Sequence, residues 1–201
     1  MKRLPVLILV AVALPGYSQT LSTALSNNGT GGIFMTLTSN SDLSVVSFDT
    51  YFGAAAGTAG SIEVYVRDGA YAGFTASNVG WTLFDTVAFT SNGTATLAAV
   101  TLNNQISLQT GIGKSVYLHS VTTGNGIRYT GTSAAPPQTT WSNADLTLFS
   151  DVSRTGAVPF GGTQFTPRTF AGNVNYQAVP EPASLAVLGL VGAAAARRRK
   201  R

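Results

Sequence analysis

Few residues in this chain have the types and spacing that chemistry requires. Thr110-Gly111-Ile112-Gly113-Lys114-Ser115 has the ending of a phosphate-binding loop. Such a loop opens on a glycine five residues before Gly113 and leads into a helix whose N-terminal amides help hold phosphate. Leu108 stands at the opening position, and Val116-Tyr117-Leu118-His119 alternates as a strand does. The segment therefore reads as a glycine-rich hairpin turn. His119, the one histidine, shares a strand face with Tyr117 and Val121. It has the chemistry of a lone general base. No serine stands in a nucleophile elbow, however, and no acid is placed to orient the ring, so His119 reads as a half-exposed structural residue.

Paired carboxylates can hydrolyse glycosides, and Glu63 and Asp68 are the nearest to a pair by spacing. Glu63 on a strand flank and Asp68 in an Asp68-Gly69 turn more naturally solvate and end that strand. Oxygen ligands in loops suffice for calcium, and Asp68, Asp85, Asp145 and Asp151 lie near expected strand ends. No Asp-x-Asp-x-Asp ladder is present, so no cofactor is expected; calcium is the one cation these acids would suit. Trp81 and Trp141 each follow a loop and can stack on sugar rings, although large aromatics in a sandwich more often serve the core. The candidate sites thus include no catalytic set, and the expectation is a protein that is not an enzyme.

Composition narrows the classes further. The chain has 201 residues, no cysteine, 44% apolar and only 10% charged residues, against about 25% charged in an average globular protein. Without cysteine there is no disulfide scaffold, thiol nucleophile or thiolate metal site. The net charge of +4 comes from the two ends. Between them, five basic residues (Arg67, Lys114, Arg128, Arg154, Arg168) meet seven acidic ones (Asp42, Asp49, Glu63, Asp68, Asp85, Asp145, Asp151), leaving the body at −2. No basic face for nucleic acid is expected.

Residues 19–178 are rich in Thr, Ser, Asn and Gly and read as strands. In Ser61-Ile62-Glu63-Val64-Tyr65-Val66-Arg67 the aliphatics alternate with polar or aromatic side chains, the period of a half-buried strand. Further strands are expected at 32–38, 43–51, 81–90, 94–102, 106–109, 115–121, 126–130, 145–148 and 170–176. The apolar phase switches between Val45 and Val46, which predicts a bulge or bend. Asn92-Gly93 and Asn125-Gly126 are hairpin turn signals. About nine to eleven short strands with no crossover helix give an all-β fold, an antiparallel β-sandwich or jelly roll. A closed barrel is the alternative.

The two ends have a different character. Lys2 and Arg3 precede an apolar run, Leu4 to Leu14, and a turn-prone exit, Pro15-Gly16-Tyr17-Ser18. These are the parts of a secretory signal peptide spanning 1–18, with cleavage after Ser18 or, alternatively, after Ala13. At the other end, 179–201, Val179-Pro180-Glu181-Pro182-Ala183-Ser184 leads into an apolar stretch and then Arg197-Arg198-Arg199-Lys200-Arg201. Residues 183–196 would make about 21 Å of helix at 1.5 Å per residue, short of the ~30 Å hydrocarbon core. A short apolar helix of that length suits a segment held in the membrane transiently. The five terminal cations keep the end in the cytoplasm, and Pro180 and Pro182 keep the junction extended.

The ordered set of Pro180-Glu181-Pro182, short apolar helix and basic end resembles the PEP-CTERM sorting signal of exosortase substrates in Gram-negative and related bacteria. The resemblance covers about the last 23 residues. It implies an exosortase-type processing enzyme as partner, acting near Pro180, Glu181 and Pro182. It also implies a protein held at the inner membrane during sorting, then placed on the cell surface or outside, in association with exopolysaccharide or biofilm. It carries no activity for the body. Three readings follow for 19–178: a structural or adhesive matrix component, a lectin-like carbohydrate-binding module, or a secreted hydrolase acting on polysaccharide.

Overall fold

The computed structural model describes residues 18–29 and 31–179. Ser18–Ala178 form one compact unit. Among the described residues there is no helix, and fourteen strands account for the regular structure. These are β1 (Gln19–Ser22), β2 (Gly31–Ser39), β3 (Leu43–Thr50), β4 (Ala59–Asp68), β5 (Thr82–Thr90), β6 (Ala98–Leu108) and β7 (Lys114–Ser120), followed by β8 (Tyr129–Thr130), β9 (Thr140–Ser142), β10 (Leu146–Phe149), β11 (Ser153–Thr155), β12 (Gln164–Phe165), β13 (Thr169–Phe170) and β14 (Gly172–Ala178). The expected signal peptide falls on residues 1–18, of which only Ser18 is described. The expected C-terminal apolar helix, 183–196, lies outside the described residues.

Every pairing between strands is antiparallel. A smaller sheet has the order β1-β14-β3-β6, and a larger one has β12-β11-β2-β7-β4-β5. In the larger sheet β10 also pairs with β2 and with β9, while β13 and β8 form a separate ribbon. The two main sheets share one apolar core. Val45, Phe48, Val100, Ile106, Val174 and Tyr176 enter it from the smaller sheet; Ile33, Met35, Ile62, Val64, Val116 and Leu118 enter it from the larger. This is the alternation visible in the sequence: in β4, Ile62 and Val64 are buried while Glu63 and Tyr65 are only half-buried.

Chain order and sheet order diverge. β1, β3, β6 and β14 belong to the smaller sheet, and β2, β4, β5 and β7 to the larger. Only β4 and β5 are consecutive long strands that pair with each other. The expected hairpins at Asn92-Gly93 and at the Gly111–Gly113 turn are therefore corrected: each links strands of different sheets. In the first, Asn92 Nδ2 donates to the Leu97 carbonyl at 2.7 Å, and Gly93 takes a φ of +91°, open to glycine without strain. Asn125-Gly126 is not a hairpin either. Asn125 is buried; its Oδ1 accepts the Ala54 amide at 3.1 Å and its Nδ2 donates to the Thr58 carbonyl at 3.4 Å. The residue that looked like a turn former thus stitches two loops together.

The phase break at Val45 and Val46 is where the smaller sheet opens. Register passes from Val45 opposite Ile106 to Ser47 opposite Thr101, so residues 102–105 of β6 leave β3. The two strands expected at 94–102 and 106–109 are one interrupted strand. Amides freed by such a detour need acceptors, and Asp85 on β5 of the other sheet provides them. Its Oδ2 accepts the amides of Asn103 at 2.7 Å and Asn104 at 3.2 Å. Its Oδ1 accepts Asn103 Nδ2 at 2.9 Å and the Thr86 amide at 2.8 Å. Burial pushes the carboxyl up, but these donors outweigh it and hold its pKa below the ordinary value. One carboxylate thereby ties the two sheets together.

Asp85→Ala would strand these donors, and hydrogen bonds to a charged acceptor are worth about 1.5–3 kcal/mol each in favourable cases. The expected loss in urea unfolding is roughly 2–4 kcal/mol, with a smaller loss for Asp85→Asn. Because the native pKa is depressed, the contribution is full at neutral pH and fades as pH falls through it. An Asp85→Ala protein that unfolds with wild-type stability would contradict the tie.

Candidate functional site

The larger sheet has a second buried face. β2 and β7 are largely buried on both sides, and the outward row Phe34, Tyr117 and Tyr65 is roofed by residues from loops. Phe34, Tyr71, Tyr117, Val152 and Phe160 form a separate buried cluster with Tyr65 and Trp81 at its border. Phe34 and Tyr117 stack at 3.8 Å with their planes 2° apart. Phe160 meets Tyr117 at 4.8 Å and Tyr65 at 5.0 Å. Here the loops 69–81 and 156–162 cover the centre of the outer face, as a sheet buried on both sides requires.

His119 is inside this covered region. It is fully buried rather than half-exposed, opposite Gly32 on β2 and Glu63 on β4. A side chain at Gly32 would collide with the imidazole, so that glycine makes the room. The Tyr117 hydroxyl lies 2.5 Å from His119 Nδ1 and accepts the Phe160 amide at 3.4 Å. The other ring nitrogen, Nε2, is buried with no partner among the described residues. Burial, and then the positive charge of Arg154, push the imidazole pKa down to about 4. Arg154 in turn holds the roof, donating to the carbonyls of Thr75, Gly161 and Gly162 and to Gln164 Oε1. Phe160 sits at φ 60°, a strained conformation for a bulky residue.

The seven acids among the described residues all have partners. Asp42 accepts the amide and hydroxyl of Thr110, each at 2.9 Å. Asp49 takes Asn173 and Asn175, and Glu63 takes the Tyr65 hydroxyl at 2.5 Å. Asp68 pairs with Lys114 at 3.0 Å. Asp145 accepts from Tyr176 at 3.1 Å and Asp151 from Tyr71 at 2.6 Å. Glu63 and Asp68 thus have separate partners, and the aspartates considered for calcium are distributed among different clasps. Among the described residues no three of His, Cys, Asp or Glu gather as a metal cage would.

The structure does not bring the two tryptophans together. Trp81 is half-buried at the border of the outer cluster, 5.9 Å from Phe160, with its Nε1 donating to the Phe74 carbonyl at 2.7 Å. Trp141 is half-buried against the main core, and its Nε1 has no partner among the described residues. Phe34, Arg154 and Phe160 were missed by the sequence reading. The run Ile33-Phe34-Met35 was the available signal, since consecutive apolar residues mark a strand buried on both faces.

β14 ends at Ala178, and Val179 is 44% exposed. The expected sorting residues Pro180, Glu181, Pro182 and Arg197 to Arg201 lie outside the described residues. Residues 178–201 match the PEP-CTERM protein-sorting motif. The match covers the C-terminal end alone and agrees with the resemblance read from Pro180-Glu181-Pro182, the apolar stretch and the basic end. A PEP-CTERM signal marks the chain for export and for processing by an exosortase, a membrane enzyme. No curated protein matches this chain in sequence.

His119 gives the body a defined acid response. An unfolded chain takes up its imidazole proton near 6.5, and the native one only near 4. Stability is therefore full above the unfolded value and falls as pH drops from about 6.5 to 4, by an amount on the order of 3 kcal/mol. Urea unfolding across that range should show the decline in the wild type and a flatter profile in His119→Gln. Equal slopes for the two proteins would show that His119 is not the titrating group.

Proposed function

We propose that this exosortase-sorted protein is a structural or adhesive component of the bacterial cell surface or extracellular matrix, and not an enzyme. The observation that carries the reading is the PEP-CTERM motif at 178–201. In this reading 1–18 is a signal peptide removed on export, 19–178 is the working body, and 183–196 holds the chain at the inner membrane while Arg197 to Arg201 remain cytoplasmic. Exopolysaccharide is the proposed surrounding. The separate placement of Glu63, on the Tyr65 hydroxyl, and Asp68, on Lys114, supports a non-catalytic role, because glycoside hydrolysis needs two carboxylates acting on one bond.

The body is further read as a jelly-roll sandwich. Numbering β1 to β7 in chain order, with β14 as the eighth, gives 1-8-3-6 in one sheet and 2-7-4-5 in the other. That interleaving is the pattern of two Greek keys folded over one another. The 51-residue excursion between β7 and β14, residues 121–171, then adds β8 to β13 around the edge of β2.

Deleting 185–201 in the native host should leave the protein mislocalised or freely released and alter its mature mass. Unchanged location and mass would remove the sorting reading.

A lectin-like module is the second reading. It is favoured by an open cleft of about 390 Å³ on the outer face, bordered by Glu63, Tyr65, Asn78, Val158 and Phe160. A ring edge beside a carboxylate and an amide suits sugar hydroxyls. A glycan array of the full chain should show binding that Asn78→Ala weakens and Val158→Arg blocks; Val158 is 69% exposed, so the blocking arginine needs no room in the core. Binding indifferent to both changes would move the sugar elsewhere.

A further inference from the structure

Two arginines of the body are buried, and they are treated very differently. Arg154 spends Nε, Nη1 and Nη2 on four acceptors. Arg168 is only 6% exposed, yet its side chain makes one hydrogen bond to a described residue, from Nη1 to the Pro167 carbonyl at 2.7 Å. Its Nε is buried with no partner. A guanidinium cannot discharge itself by losing a proton, so burial without a counter-ion is costly. The Phe165 ring, 5.4 Å from Arg168 Cζ, offsets only part of that cost.

Arg168 lines an open cleft of about 400 Å³ with Asn28, Gly29, Tyr129, Thr155 and Phe165. The lining contains no carboxylate. Asn28 is already committed, with Nδ2 on the Gly131 carbonyl and Oδ1 on the Gly29 amide. The Thr155 hydroxyl accepts from the Thr163 amide and keeps its own proton to give. No described residue bonds the Tyr129 hydroxyl. A side chain at Gly29 would collide with the Tyr129 ring, so the cleft wall is bare backbone over an aromatic ring. Phe165 on β12 is 37% exposed beside the cation. Arg168 itself is fixed by its amide, which donates to the Asp151 carbonyl at 2.8 Å, and by the pairing of the next residue, Thr169, with Thr130.

We infer that this cleft binds an anionic sugar, with the negative group on the Arg168 guanidinium and the apolar face of the ring on Phe165. The donors left on Arg168 Nη1 and Nη2 around a fixed cation select an oxyanion, since a planar guanidinium fork matches carboxylate or sulfate oxygens. The partly exposed ring next to it selects an anion carried on something flat and apolar rather than a small solvated ion. The site is separate from the cleft at Tyr65. It rests on the sugar-binding reading only for the sugar ring; anion capture by Arg168 stands without it.

The test is calorimetric titration of the full chain with glucuronate, galacturonate, glucose 6-sulfate, glucose, acetate and inorganic sulfate. The anionic sugars should bind at least about tenfold more tightly than glucose, because a site built on a buried charge rejects the uncharged analogue. Glucuronate against glucose 6-sulfate tells a carboxylate from a sulfate ester. Arg168→Gln should abolish the preference, and Phe165→Ala, a change at an exposed ring, should weaken the sugars several-fold while sparing acetate and sulfate. Arg168→Lys provides a second charged variant should the glutamine destabilise the fold; losing the fork, it should bind more weakly than the wild type but still prefer anions. The inference is overturned if no anionic sugar binds the wild type, if glucuronate binding survives Arg168→Gln in a folded protein, or if acetate and sulfate bind as tightly as glucuronate.

Discussion

Most long strands of this body are followed by a crossing to the opposite sheet, and that constraint shapes nearly everything polar in it. A hairpin satisfies its own turn, whereas a crossing passes over the rim of the core with backbone groups that neither sheet pairs. Here the crossings satisfy one another. Asn125 joins the 121–126 segment to the loop after β3, Asp42 holds Thr110 in the loop after β6, and the Gly53 amide donates to the Gly126 carbonyl. Where β6 itself departs from its neighbour, Asp85 reaches from the other sheet to collect the amides. Small polar side chains can do this at low steric cost, which is a physical reason for a body so rich in Asn, Ser and Thr.

The sparse charge has a related explanation. With seven acids and five bases in 160 residues, charged groups are used as fixed clasps rather than as a solvating shell. Asp85 is a carboxylate clasp and Arg154 a guanidinium one, each holding several partners with a single side chain. Arg168 is the departure from that economy, a buried cation with most of its donors unspent. Departures from local satisfaction are where binding sites are expected in a chain otherwise consistent at every level.

The aromatic cluster on the outer face shows the same design from the apolar side. A sheet that faced water beyond β2 and β7 would leave Phe34 and Tyr117 exposed. The loop carrying Phe160 closes over them, and Arg154 closes that loop. The consequence is a covered outer wall with an open cleft at Tyr65, on a body that carries a signal for export and sorting. The sorting motif at 178–201 is read by another enzyme.

The sequence alone determined what depends on local order. Alternation in Ile62 to Val66 determined strand and face, the phase switch at Val45 and Val46 located the bulge, and Pro180-Glu181-Pro182 with its apolar and basic followers was legible because a sorting signal is read as a linear string. Tertiary structure decided what depends on partners distant in sequence. Asn92-Gly93 and Asn125-Gly126 carry the residues of a hairpin, but turn chemistry fixes only the local bend, and which sheet receives the next strand is set by burial of its apolar face. His119 had the pattern of a half-exposed residue until loop 156–162 was placed over it. Arg168 looked like one of five scattered cations; only the fold withdrew it from water with no counter-ion among the described residues. Side-chain periodicity reports the faces of a strand, whereas burial on the outer face and the company a charge keeps are properties of loops that come back from elsewhere in the chain.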